Sequence, residues 1–155
     1  MRKQIGLGLL LASLSVWAYA AENIVVKNAW VREAPPGAQV MAAYMTLENP
    51  NNTPLSVVGA TSTAFKTVEL HKTVEEAGVA RMIAVDALEV PAGGQVALVP
   101  GGLHVMLITP IDQQPQAGDN VSLTLYLSNE ASQTLTVPVQ KAPLSDTMPA
   151  QPHSH

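Results

Sequence analysis

The sequence predicts an all-β fold, an antiparallel sandwich or Greek-key barrel in a single domain. Three observations carry this prediction. Apolar residues recur with period two in several short runs, and no helical period of any length interrupts them. Clusters of Pro, Gly, Asn and Asp stand between the runs, where turns need them. The chain has 155 residues, enough for one domain with its own core even when an N-terminal leader is set aside.

The elements follow in order. Residues 1–20 read as a secretory signal. Arg2 and Lys3 form a positive start, Ile5 to Trp17 is an uncharged and largely apolar stretch of 13 residues, and Ala18-Tyr19-Ala20 puts small side chains at the −3 and −1 positions. Cleavage before Ala21 and export to the periplasm are expected. The apolar stretch is shorter than the roughly 18 residues that a spanning helix requires, so no stable membrane insertion is expected. Strands are predicted near 24–32, 39–48, 55–61, 66–73, 79–90, 95–99, 103–109 and 120–128, with a ninth near 133–140. In the clearest of them, Val121, Leu123, Leu125 and Leu127 alternate with Ser122, Thr124, Tyr126 and Ser128. Val68 and Leu70 alternate in the same way with Thr67, Glu69 and His71, and Leu135, Val137 and Val139 with Thr134, Thr136 and Pro138. Turns are predicted at Pro35-Pro36-Gly37, Asn49 to Asn52, Glu76 to Gly78, Pro91 to Gly94, Pro100 to Gly102 and Ala117 to Asn120. The β-domain thus spans 21–141. Residues 142–155 lack alternation, contain Pro, Ser and Met, and are expected to form a flexible tail.

Composition excludes several chemistries. Charged residues make up 13% of the chain, about half the roughly 25% of an ordinary soluble protein. Beyond residue 20, six cations face twelve acids, a balance unsuited to nucleic acid or anionic membranes. The absence of cysteine excludes disulfides, thiolate nucleophiles, Cys-based zinc sites, iron–sulfur clusters, blue-copper sites and lipid attachment at an N-terminal cysteine. Composition leaves a Ser–His–acid set open, but there is no Gly-x-Ser-x-Gly elbow and no phosphate-binding glycine loop. Glu75 and Glu76 read as a solvated hairpin turn. An enzyme is not expected.

Histidine and methionine remain. On the predicted strand around Leu103 to Leu107, Leu103, Val105 and Leu107 take one face, and His104 and Met106 take the other. That pair alone favours a methionine covered by a neighbouring loop. His71, however, also sits opposite the apolar pair Val68 and Leu70, and Met82 follows on the next strand, sharing a face with Ala80 and Ala84. A hairpin turning near Glu76 to Gly78 brings His71 and Met82 close together. Two imidazoles and two thioethers form a soft, neutral donor set that favours Cu(I) over zinc, magnesium or calcium. Such a set also suits an oxidising compartment, where thiols form disulfides. Met41 and Met45 share a face with Ala43 and Leu47 and read as core, and Trp30 and Tyr44 as core or rim aromatics.

Ten residues separate His71 from Met82, twenty-one separate Met82 from His104, and one separates His104 from Met106. With the Gly-Gly-x-His-x-Met-Leu context of Gly101 to Leu107, this spacing resembles the PCu(A)C family of periplasmic copper chaperones. Ala29 to Arg32, Pro35-Pro36-Gly37 and Ala43 to Asn49 resemble that family's N-terminal half, so the likeness covers roughly residues 23–140. Ala80 stands where many members carry a further methionine. The resemblance implies a cupredoxin-like barrel holding one Cu(I) on His71, Met82, His104 and Met106. It also implies delivery to the dinuclear copper centre of cytochrome c oxidase subunit II, or to another thiol-bearing acceptor such as a Sco-type assembly protein. Met148, His153 and His155 in the tail form a secondary candidate set for Cu(II) or a second Cu(I), against an unstructured end with chance histidines. The rival functions are a copper storage or resistance protein and a metal-free exported β-sandwich that binds glycans or another protein.

Overall fold

Residues 22–143 are described in the computed structural model, and their backbone realises the period-two pattern as ten strands. In chain order these are β1 (Val25–Arg32), β2 (Val40–Glu48), β3 (Leu55–Ser62), β4 (Phe65–Glu76), β5 (Val79–Ala84), β6 (Leu88–Val90), β7 (Gln95–Leu98), β8 (Leu103–Pro110), β9 (Asn120–Leu127) and β10 (Ser132–Gln140). There is no helix among the described residues. The proposed signal (1–20) and most of the proposed tail, with Met148, His153 and His155, lie outside the described residues.

Hydrogen bonding links the strands in the order β5-β4-β8-β2-β1-β10-β9-β3-β6, with β7 pairing β2. All pairings are antiparallel except β1 with β10, where Val31 faces Val139 in parallel. That pairing joins two antiparallel halves, whose inward side chains form one core. Met41, Ala43, Met45 and Leu47 of β2, with Val105 and Leu107 of β8, line it from one half; Val121, Leu123, Leu125 and Leu127 of β9 line it from the other. The methionines at 41 and 45 are therefore packing residues, as their shared face with Ala43 and Leu47 predicts.

Two stretches differ from expectation. β4 continues three residues past the predicted 66–73, so Glu75 and Glu76 are exposed strand residues paired with Ala80 and Val79, and the turn itself is only Ala77-Gly78. The run 79–90 is two strands, not one, because the chain changes partners within it. β5 pairs β4, and β6 pairs β3 on the far half. The break follows Val85, whose N–H donates to the Leu70 carbonyl at 2.9 Å. β5 lies at an edge and is exposed throughout, whereas β6 alternates buried, exposed, buried.

Candidate metal centre

The site is built on three neighbouring strands. β4 and β8 run antiparallel in a register that sets His71 directly opposite His104 and Glu69 opposite Met106. Directly opposed residues share a face, and so do residues two apart on one strand. The outer face of the sheet therefore carries His71, His104 and Met106 together. The two rings lie 5.8 Å apart between centroids, inclined at 58°.

Met82 reaches this face through a tight turn. Glu76 and Val79 close the β4–β5 hairpin around Ala77-Gly78, both with positive φ (50° and 77°). That is the backbone of a two-residue primed turn, and it explains the glycine at 78. Counting back from the turn sets Thr73 opposite Met82, and Thr73 shares the face of His71. Met82 thus stands one register row beyond His71, while Met106 stands one row to the other side. A concavity of about 300 Å³ is lined by Met82, His104 and Met106, with Thr73 and Tyr44 among its other walls. His71 adjoins it through the His104 ring.

The hydrogen bonding of the two imidazoles is complementary. His71 Nε2 lies 2.7 Å from Glu69 Oε2, and His104 Nδ1 lies 3.1 Å from the Gly102 carbonyl. A carboxylate and a carbonyl only accept, so each of these nitrogens carries the N–H. In the neutral rings the opposite nitrogens, His71 Nδ1 and His104 Nε2, then present lone pairs, and both are buried without a partner among the described residues. A buried acceptor left unpaired carries a desolvation cost of about 1–3 kcal/mol. A metal ion removes that cost, and a histidine ligand held by an acceptor on its far nitrogen is the usual arrangement of a metal-binding imidazole. No group of three or more His, Cys, Asp or Glu residues suited to a metal occurs among the described residues. The thioethers of Met82 and Met106 share this sheet face with the two nitrogens, and such donors suit a soft monovalent ion.

Burial differs sharply between the four side chains. His104 is only 2% exposed, although its position opposite Val105 and Leu107 predicts an outward face. The outer face is covered here. The Tyr44 ring of β2 lies 6.4 Å from His104 and is backed by Trp30 of β1 at 5.1 Å, so an aromatic side chain packs beside the imidazole. Met82, by contrast, is 60% exposed, which removes a core role for it. Met106 is half-buried. Glu69 and Gly102 are the participants that sequence reasoning did not single out, and Tyr44, expected as a core or rim aromatic, packs beside His104. Glu69 was within reach of it, because a residue two before a histidine on a strand shares its face.

The family described as "Putative lipoprotein LpqE-like" matches residues 24–139. "Putative lipoprotein Lxx21020" of Leifsonia xyli subsp. xyli is 36% identical over 121 residues, covering 77% of this chain and 71% of that protein. The solution structure of CuI-DR1885 from Deinococcus radiodurans is similar with a TM-score of 0.63 at 31% identity, covering 83% of this chain and 85% of that one. The copper-bound PCuAC domain from PmoF2 gives a TM-score of 0.65 at 26% identity, covering 80% and 97%. The match through nearly all of the described strands, together with these structural likenesses, establishes that the chain belongs to the LpqE-like family of cupredoxin-like PCuAC domains.

Proposed function

We propose that this protein is an exported, periplasmic Cu(I) carrier that binds one ion on His71, Met82, His104 and Met106 and passes it on by ligand exchange. The observation that carries the reading is the pair of buried, unpartnered nitrogens, His71 Nδ1 and His104 Nε2, flanked by two thioethers on one sheet face. The copper bound in two of the solved relatives supports the choice of ion, and the leader-like residues 1–20 support export.

In this reading the histidines supply most of the affinity, each oriented by its acceptor. Met106 flanks the ion beside His104. Met82, exposed on an edge hairpin and flexible about three side-chain bonds, closes over the ion and opens to release it. Thioethers bind Cu(I) without a charge. An acceptor with two cysteines then takes the ion downhill, each thiol giving its proton to water as its sulfur replaces a thioether or imidazole. Copper remains Cu(I) throughout. The acceptor that fits best is cytochrome c oxidase subunit II or a Sco-type assembly protein. The exposure of Met82 favours such hand-over above storage, for which all ligands would be enclosed.

Anaerobic titration of the metal-free protein with Cu(I), against a competing chromophoric chelator, is expected to end at one ion per chain. The loaded protein is then expected to give up its copper to the soluble domain of a reduced oxidase subunit II. A 1:1 complex that releases nothing to that thiol acceptor would leave a storage role, and absence of binding would reject the carrier altogether.

A further inference from the structure

The concavity beside the candidate ligands contains a cation that has no partner among the described residues. Arg32 ends β1 and lines the concavity together with Met82, His104 and Met106. Of the six Lys and Arg residues between 22 and 143, it is the only one that is not exposed. Lys27 pairs with Glu48, and Arg81 lies near Glu76, but no carboxylate or carbonyl pairs with the Arg32 guanidinium among the described residues. Glu33 also borders the concavity, but its carboxylate accepts from the Ala117 N–H at 2.9 Å. A guanidinium offers five donors in a planar fork suited to a carboxylate.

The register places this fork relative to the metal ligands. Arg32 is opposite Ala42, and Ala42 is opposite Met106, so the three lie in one row across β1, β2 and β8. Two strand spacings separate Arg32 from Met106, about 10 Å between backbones. The alanine between them carries only a methyl group, so the row forms a groove with Arg32 at one end and the sulfur of Met106 at the other. Beside Glu33, its wall at the Arg32 end is apolar, with Ala34, Pro35 and Val40. A hydrated inorganic anion gains nothing from such walls, whereas a peptide segment does. The rest of the domain is acidic, eleven acids against six cations over 22–143. An acidic partner is therefore repelled unless its carboxylate finds Arg32.

We infer that this groove docks the copper acceptor, gripping a carboxylate of the acceptor with Arg32 while the acceptor's cysteines reach the ion at Met106 and Met82. The inference rests on the Cu(I) reading above. The 10 Å span corresponds to about three residues of extended chain, so the acidic residue belongs three positions from the nearer cysteine. The charge balance also favours release. A bound Cu(I) adds a positive charge near Arg32 and strengthens the hold on the carboxylate, and its departure weakens that hold.

The test uses two synthetic peptides with a Cys-x-x-Cys pair, identical except for Asp or Asn three residues before the first cysteine. From the full chain loaded with Cu(I), the Asp peptide is expected to take copper about tenfold faster at low ionic strength, an advantage that salt removes. Arg32→Gln is expected to abolish the advantage while leaving the Cu(I) affinity unchanged. Ala42→Leu, which fills the groove and keeps the charge, is expected to slow both peptides. Circular dichroism checks that each variant folds. Amide shifts of the metal-free protein with the Asp peptide are expected to map to β1, β2 and β8, and this readout stands even if Cu(I) binding itself fails. Equal rates for the two peptides from the unaltered protein would overturn the proposal. So would acetate suppressing the Asp advantage at the peptide's own concentration, which identifies a small-anion site, or self-association through the groove, which identifies a second copy as its occupant.

Discussion

Replacing His104 by alanine is expected to lower Cu(I) affinity by more than about 100-fold while the domain stays folded. The magnitude follows from comparison with outer partners, since removing a group that merely orients a metal-bound histidine already costs about 10–100-fold. In the proposed carrier His104 offers the ion a nitrogen that is buried, pre-aligned by the Gly102 carbonyl and free of competing hydrogen bonds among the described residues. On that reading its loss removes a ligand for which the fold has already met the ordering cost. The fold survives because the same substitution also removes an unpaired buried acceptor, which offsets part of the lost packing against Tyr44. Glu69→Ala provides a graded comparison. It keeps all four proposed ligands but frees the His71 ring from its 2.7 Å contact, and a smaller loss of about tenfold is expected. Competition titrations with a Cu(I) chelator measure both, and circular dichroism separates loss of binding from loss of fold.

The opposite pattern is expected one residue along the same strand. Leu107→Ala should destabilise the domain by about 2–5 kcal/mol, the range for deleting a buried leucine side chain. Leu107 is fully buried, and its register partners are Met41 on β2 and Val68 on β4, so it ties both neighbours of β8 to the core. Denaturant unfolding should show the loss as a lower midpoint with an unchanged slope. Well below its melting temperature the variant should bind Cu(I) as the unaltered protein does, because the face of β8 that carries the proposed ligands is intact. His104 and Leu107 thus report separately on chemistry and stability.

The two faces of β8 were legible because side chains alternate strictly along a strand, and a Leu/Val face beside a His/Met face leaves one assignment for each. The β4–β5 hairpin was legible for a local reason, since Gly78 marks the turn and the turn counts out the register to Met82. The division of 79–90 was missed, although a signal exists. The apolar phase passes from odd positions (Val79, Ile83, Val85) to even ones (Leu88, Val90), which marks a change of partner. The pairing of His71 with His104 lies beyond local pattern, because β4 and β8 are separated in the chain by three intervening strands. The burial of His104 was hidden for the same reason. Its cover, Tyr44, comes from β2, and only the sheet order brings that strand alongside β8.

X-ray absorption at the copper edge of the protein loaded with one equivalent of Cu(I) tests the central claim most directly. The account predicts two nitrogen and two sulfur scatterers, with both sulfurs lost when Met82 and Met106 are together changed to leucine. A first shell of nitrogen and oxygen alone, or a sulfur signal that persists in that double variant, would contradict it.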